Sequence, residues 1–383
     1  MILTFRHLCL LLIVLFLAPL IVRAAEAPLS LEDRVRALET QLAKISQENG
    51  ELKKQLGISP KSAPTFVTTQ GKEAKLAIGG FVQGQAEFGD TPDTRFVAGD
   101  RFYLRRARLG VKGSFAEHFD FTLQADIGSN SAGNVTGNRA QATDAFVVWN
   151  QYDAANLTFG QFKTPYGYEQ LQSDTKVLTV ERSLSSDSLT LSRQLGAMVS
   201  GTVLDKKLSY AAGLFNGSGV NTSTNDNDNF MYVGRVNGTA WQTKTARLGL
   251  GAGVFTSRDT GTFTGRRSGG QVDAQFSFGR GEIDAEFLRT HFDRVTGVDT
   301  DAQGWSILGA WFVVPGKLQL VGRYEAYDPN RDLSGDDADL WTFGINYLLK
   351  GDDIKFGLNY LIGDPAGPLK NQGRLLTRFQ LVF

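Results

Sequence analysis

Thiols and imidazoles are nearly missing from this chain of 383 residues: it has one cysteine, Cys9, and three histidines, His7, His118 and His291. Cys9 lies inside an apolar leader, so the chain beyond it has no disulfide framework, no Cys-ligated metal and no Cys nucleophile. Neither His118 nor His291 stands among the neighbours of a hydrolytic triad, so no enzyme is expected, and no cofactor or metal is implied. Net charge is missing too, with Lys+Arg and Asp+Glu both 40. Nothing therefore draws the chain toward nucleic acid or anionic lipid. Beyond the leader no run of 18 apolar residues occurs, and mean hydropathy is −0.18. A chain without spanning helices can still cross a membrane if it closes a β-barrel, which pairs every backbone group away from water.

What is present suits that solution. Gly is 43 of 383 residues, above the usual ~7 %, while aromatics reach 11 % and Met only 3. Residues 1–24 carry Arg6, an apolar run from Leu8 to Val22 interrupted by Pro19, and small residues at the end. This is the pattern of a signal peptide cleaved near Ala24 or Ala25.

Residues 25–56 read as a coiled coil. Leu31, Val35, Leu38, Leu42, Ile45, Asn49, Leu52 and Leu56 alternate spacings of 4 and 3, a heptad seam expected to self-associate. Arg34 would face Glu39, and Glu48 would face Lys53, in a parallel assembly. A lone amphipathic helix is the alternative. From 57 to 75 the pattern stops around Pro60 and Pro64, which reads as a linker.

From Leu76 the period becomes 2. Candidate strands cover 76–88, 101–113, 118–128, 140–151, 156–163, 193–204, 207–215, 229–239, 245–256, 269–279, 281–290, 303–313, 317–327, 339–349, 353–362 and 373–383. Each segment alone is a weak signal, but their connections alternate long and short, as extracellular loops and periplasmic turns do. The expected fold is all-β, a 16-stranded antiparallel transmembrane β-barrel over 76–383. Trp149, Tyr152, Trp241, Trp305, Trp311, Trp341 and Tyr347 fall in or beside strands, many near the ends, where aromatic girdles meet headgroups. The longest connection, 164–192, follows the fifth strand and carries Pro, aromatics and paired charges, so it reads as an ordered constriction loop inside the barrel.

Inward side chains set a pore's selectivity. Arg106, Arg108 and Lys112 share one strand face, with Arg105 beside them, and Lys163, Arg235, Arg247, Arg323, Lys355, Arg374 and Arg378 are further inward cations. Glu87, Asp120, Asp126, Asp273, Glu282, Asp284, Glu286 and Glu325 are inward acids, so the lumen is mixed. In the loop, Lys176 and Arg182 stand nearest the eyelet, with Glu169 and Glu181 opposing or anchoring them. The other reading of Glu181 and Arg182 is that they only pin the loop to the wall.

Several strings resemble the phosphate-selective porin O and P family: R-R-A-R-L-G from Arg105, D-A-F-V from Asp144, G-Q-F-K-x-P-Y-G-x-E from Gly160, E-R-S-L from Glu181, G-L-F-N-G from Gly213 and L-V-G-R-Y-E from Leu320. The resemblance runs from about Gly80 to Phe383 and implies an outer-membrane porin, usually trimeric, with the coiled coil in the periplasm. It implies passive diffusion of small anions, including phosphate or polyphosphate. The inward acids point instead to a general diffusion or carbohydrate porin of weak charge selectivity, and the coiled coil to a structural tether or adhesin. Expected partners are small or ionic solutes, outer-membrane lipid, two further copies of the chain, and the assembly machinery that recognises a final strand ending on Phe383.

Overall fold

Alternation of apolar and polar residues commits a chain to strands with one face to each environment, and successive tight turns make neighbouring strands antiparallel. The computed structural model describes residues 40–41, 67–70, 74–128, 140–260, 264–364 and 372–383. The leader and every residue of the heptad seam lie outside the described residues; 40–41, between seam positions, are helical.

A short strand β1 (Val67–Gln70) is followed by sixteen longer ones: β2 (Ala74–Gly89), β3 (Arg101–Phe115), β4 (Phe119–Asp126), β5 (Gln141–Tyr152), β6 (Ala155–Lys163), β7 (Arg193–Val203), β8 (Leu208–Phe215), β9 (Met231–Gln242), β10 (Ala246–Thr260), β11 (Thr264–Phe278), β12 (Gly281–Arg294), β13 (Thr300–Val314), β14 (Leu318–Asp328), β15 (Ala338–Lys350), β16 (Ile354–Asp364) and β17 (Gln372–Val382). Each of β2 to β17 pairs antiparallel with the next, and β17 returns to β2 through Val382↔Phe81 up to Arg374↔Gly89. The sheet closes into a barrel of sixteen strands with no free edge among them. Each of the sixteen expected segments overlaps one of these strands.

The stretch read as a linker is corrected in one respect: β1 lies within it and pairs with β2 from Val67↔Ile78 to Gln70↔Lys75. Phe383 exchanges both backbone hydrogen bonds with Gly80, and β1 pairs with the β2 edge on the other side of that point.

The outer wall is apolar. Phe159, Val254, Trp241, Trp311, Trp341, Tyr347 and Phe379 are all exposed, as lipid-facing side chains must be. The barrel interior is not uniformly polar. Phe162, Phe215, Met231, Val233, Phe255 and Leu288 turn inward and form a buried cluster with Tyr166, Leu189 and Leu191 of the 164–192 segment. That segment contains helices α1 (Tyr168–Leu171) and α2 (Leu184–Leu189). Inward apolar side chains are a liability in a water-filled pore, and the loop covers them. Each such burial contributes about 1.5–3 kcal/mol relative to exposure.

Candidate functional site

Backbone irregularity in β3 decides where its arginines point. Strict alternation would send Arg105 outward if Arg106 and Arg108 point inward. The β2–β3 register instead slips between Gln83 and Gly84, with Arg106 opposite Gln83 and Leu104 opposite Gly84. The extra residue is a β-bulge, which re-aims a side chain. Arg105, Arg106 and Arg108 are consequently all buried against the loop, while Phe102, Leu104 and Leu109 face out.

Two loop carboxylates meet these arginines. Glu181 accepts from Arg105 Nε and Nη2 at 2.8 and 2.9 Å and from Arg378 Nη2 of β17 at 2.8 Å. Gln85 Nε2 adds a fourth bond at 3.0 Å. Asp174 accepts from Arg182 Nη1 at 2.6 Å and Arg108 Nη1 at 2.5 Å, with Arg106 Nη2 at 3.4 Å. Arg108 also donates to Asp126 at 2.8 Å. Such charge-assisted, bidentate contacts fix geometry as well as adding strength.

The other anchors use the same chemistry around the wall. Arg323 donates to Thr179 Oγ1 at 2.8 Å and to the Glu181 carbonyl at 2.9 Å, and pairs with Glu169 at 3.2 Å. Glu325 accepts from the Leu184 amide at 2.8 Å. Lys163 donates to the carbonyls of Gln170 and Gln172, both at 2.7 Å. Lys355 holds the carbonyls of Thr175 and Val177 at 3.1 and 3.2 Å. Asn359 and Asn346 bind the Val180 amide and the Leu178 carbonyl. Glu286 accepts from the amides of Tyr168 and Glu169 at 2.5 and 3.3 Å, capping α1, whose N-cap Gly167 has no side chain to do so. On β13, Gly304 makes room for α2, since a Cβ there would stand 2.4 Å from that of Ser185.

The expected site residues thus divide. Arg105, Arg106, Arg108, Lys163, Arg182, Arg323 and Arg378 converge on the loop with Glu169 and Glu181. Arg235 sits apart, paired with Asp273 at 2.7 Å across β10, where Gly251 leaves the space: a Cβ there would approach Arg235 Nη2 to 2.6 Å. Arg374 is held by Glu87. Lys112, Lys176 and Arg247 are exposed and form no ion pair among the described residues. On β12, nearly across the barrel from β3, Glu282 and Asp284 accept hydrogen bonds from Gln319 and Tyr168 and likewise have no cationic partner among the described residues. Leu31, Val35, Leu38, Leu42, Ile45, Asn49, Leu52 and Leu56 lie outside the described residues. Sequence reasoning did not single out Asp174, Asn346 or Asn359. For Asp174, the available signal was an acid between Glu169 and Glu181 in a loop faced by several inward arginines.

A family model described as phosphate-selective porin O and P matches residues 77–270 and 256–383, most of the barrel. The chain belongs to this family. An outer-membrane channel is therefore what the barrel forms. Porin O of Pseudomonas aeruginosa is 25 % identical over 144 residues, 36 % of this chain and 32 % of that one. Among solved structures, an anion-selective porin from Comamonas acidovorans superposes with TM-score 0.58 at 15 % identity, covering 81 % of this chain and 100 % of that one. OmpT of Vibrio cholerae, in a trimer form, gives TM-score 0.58 at 11 % identity over 82 % of this chain and 100 % of its own. These likenesses carry the fold, and this porin's own charges must supply its selectivity.

Proposed function

We propose that this porin passes small hydrated solutes, inorganic anions among them, by passive diffusion with relaxed charge selectivity. The observation carrying this reading is that the inward arginines are already engaged: Glu181 and Asp174 together take Arg105, Arg378, Arg106, Arg108 and Arg182. An engaged guanidinium offers a passing anion little, because the anion would have to displace a carboxylate held in place at low dielectric. The lumen groups outside these pairs are of both kinds, the exposed Lys112 and Lys176 and the half-buried carboxyls Glu282 and Asp284. Opposed charges across a lumen orient dipolar solutes and do not exclude one ion.

The narrower reading is passage of phosphate or polyphosphate, favoured by the surplus of arginine over carboxylate in the cluster. The same reading includes a homotrimer, in keeping with the trimer form of the Vibrio protein, a periplasmic coiled coil at 25–56, supported by its heptad spacing, and recognition of the last strand by the assembly machinery. The reversal potential of the purified porin in a planar bilayer under a KCl gradient, repeated with added phosphate, tests the function. Discrete conductance steps, weak selectivity and no block by phosphate are expected. Strong anion preference with phosphate block would replace this reading with a binding ladder, and absence of discrete conductance would exclude a channel.

A further inference from the structure

Loop carboxylates pair with the arginines that the barrel wall turns inward. We propose that Asp174 and Glu181 are tethered counter-anions that determine this pore's ion selectivity, so that neutralising them turns it into an anion-selective channel. The proposal rests on the reading of the protein as a pore of relaxed selectivity and identifies the residues that make it so.

Three observations carry it. First, the two acids belong to the loop, while four of their five arginine partners, Arg105, Arg106, Arg108 and Arg378, belong to the barrel wall. A loop that only needed seating could use carbonyls and amides, as it does at Lys163, Lys355, Asn346 and Asn359. Here it presents full negative charge to the densest group of cations. Second, neutralisation stops short. Arg105, Arg106, Arg108, Arg182 and Arg378 face Asp174, Glu181 and Asp126, leaving an excess of two positive charges in a buried place. Third, that excess is visible as unmet donors: Arg105 Nη1 and Arg106 Nε are buried and have no hydrogen-bond partner among the described residues. A buried guanidinium N–H without an acceptor is costly. Each internal carboxylate neutralised would therefore leave arginine charge that an external oxyanion or halide can answer.

The test uses isosteric neutralisation in the full-length porin, Asp174→Asn and Glu181→Gln singly and together, measured by reversal potential under a KCl gradient with and without phosphate. The amides keep the side chains' shape and one acceptor, so the loop can stay seated. Expected is a rise in chloride-over-potassium permeability of about fivefold or more in the double variant, with block by phosphate appearing where the parent shows none. Asp153→Asn, which removes the same charge from an exposed ion pair with Lys206 at the β5–β6 turn, leaves selectivity unchanged. Arg378→Gln shifts selectivity toward potassium and serves as the second arm should the double variant fail to fold. If the parent is weakly selective and neither the acid variants nor Arg378→Gln moves the reversal potential, the counter-anion role is overturned while the relaxed pore stands. Altered conductance or noise without a selectivity shift overturns it equally, since that marks a purely structural pin. A parent that is already strongly anion-selective overturns the underlying reading instead.

Discussion

A guanidinium on an inward strand position serves a solute only if nothing in the chain has claimed it, and the loop carboxylates record that claim in their acidity. Burial alone would raise the pKa of Asp174, but Arg106, Arg182, Arg108 and Lys163 outweigh it and hold the group well below its ordinary value. Glu181 is likewise raised by burial and lowered further by Arg105, Arg378 and Arg106, ending well below the usual range. A carboxylate whose folded pKa is depressed contributes stability that is present above its unfolded value, about 4, and is lost as pH falls through the folded one. The seating of the loop by these two carboxylates should therefore hold from neutral pH down to about 4 and fail only in stronger acid, read as loss of steady open-channel conductance there. Asp174→Asn with Glu181→Gln should remove that acid step. A transition centred near pH 6 in bilayer recordings of the parent would show that other groups hold the loop.

Elements differ in how far alternation alone reveals them. The period-2 pattern locates all sixteen barrel strands because each is half lipid-facing, and lipid tolerates no polar face. β1 escapes the same logic: its four residues, Val-Thr-Thr-Gln, are too few to show a period. The bulge in β3 is invisible to a rule that assumes strict alternation, so the inward turn of Arg105 follows only from pairing with β2. The buried cluster around Phe215 and Leu288 runs against the expectation of a polar lumen, because its cover, Tyr166, Leu189 and Leu191, comes from a distant segment. Long-range placement also hides Asp174 and the use of Glu286. Since Glu286 caps α1 from the facing wall, Glu286→Ala should cost about 0.5–2 kcal/mol of local stability, the range for losing a helix cap. Hydrogen exchange at the amides of Tyr168 and Glu169 should accelerate correspondingly, and Glu286→Gln, which keeps one acceptor, should accelerate them less. Unchanged exchange in both variants would mean that Arg323 and Glu325 seat the loop without this cap.

Closure sets what the whole molecule can and cannot need from its neighbours. With β17 paired to β2, the backbone groups of the sixteen strands are satisfied within one chain, so a single barrel requires no partner to complete its hydrogen bonding. The pore also lies within one chain, since the 164–192 segment packs on walls of its own barrel. Any association then comes from side chains, and the seam of Leu31, Val35, Leu38, Leu42, Ile45, Asn49, Leu52 and Leu56 is the stretch proposed for it, by its heptad spacing. If the proposed trimer is held by this seam, placing a charge at two of its positions, Leu38→Asp with Ile45→Asp, should shift the full-length protein in mild detergent toward single chains, read by native mass spectrometry. The conductance step of each barrel should stay the same. An unaltered trimer population would move the association to the apolar outer wall, and a changed conductance step would mean that the assembly shapes the pore after all.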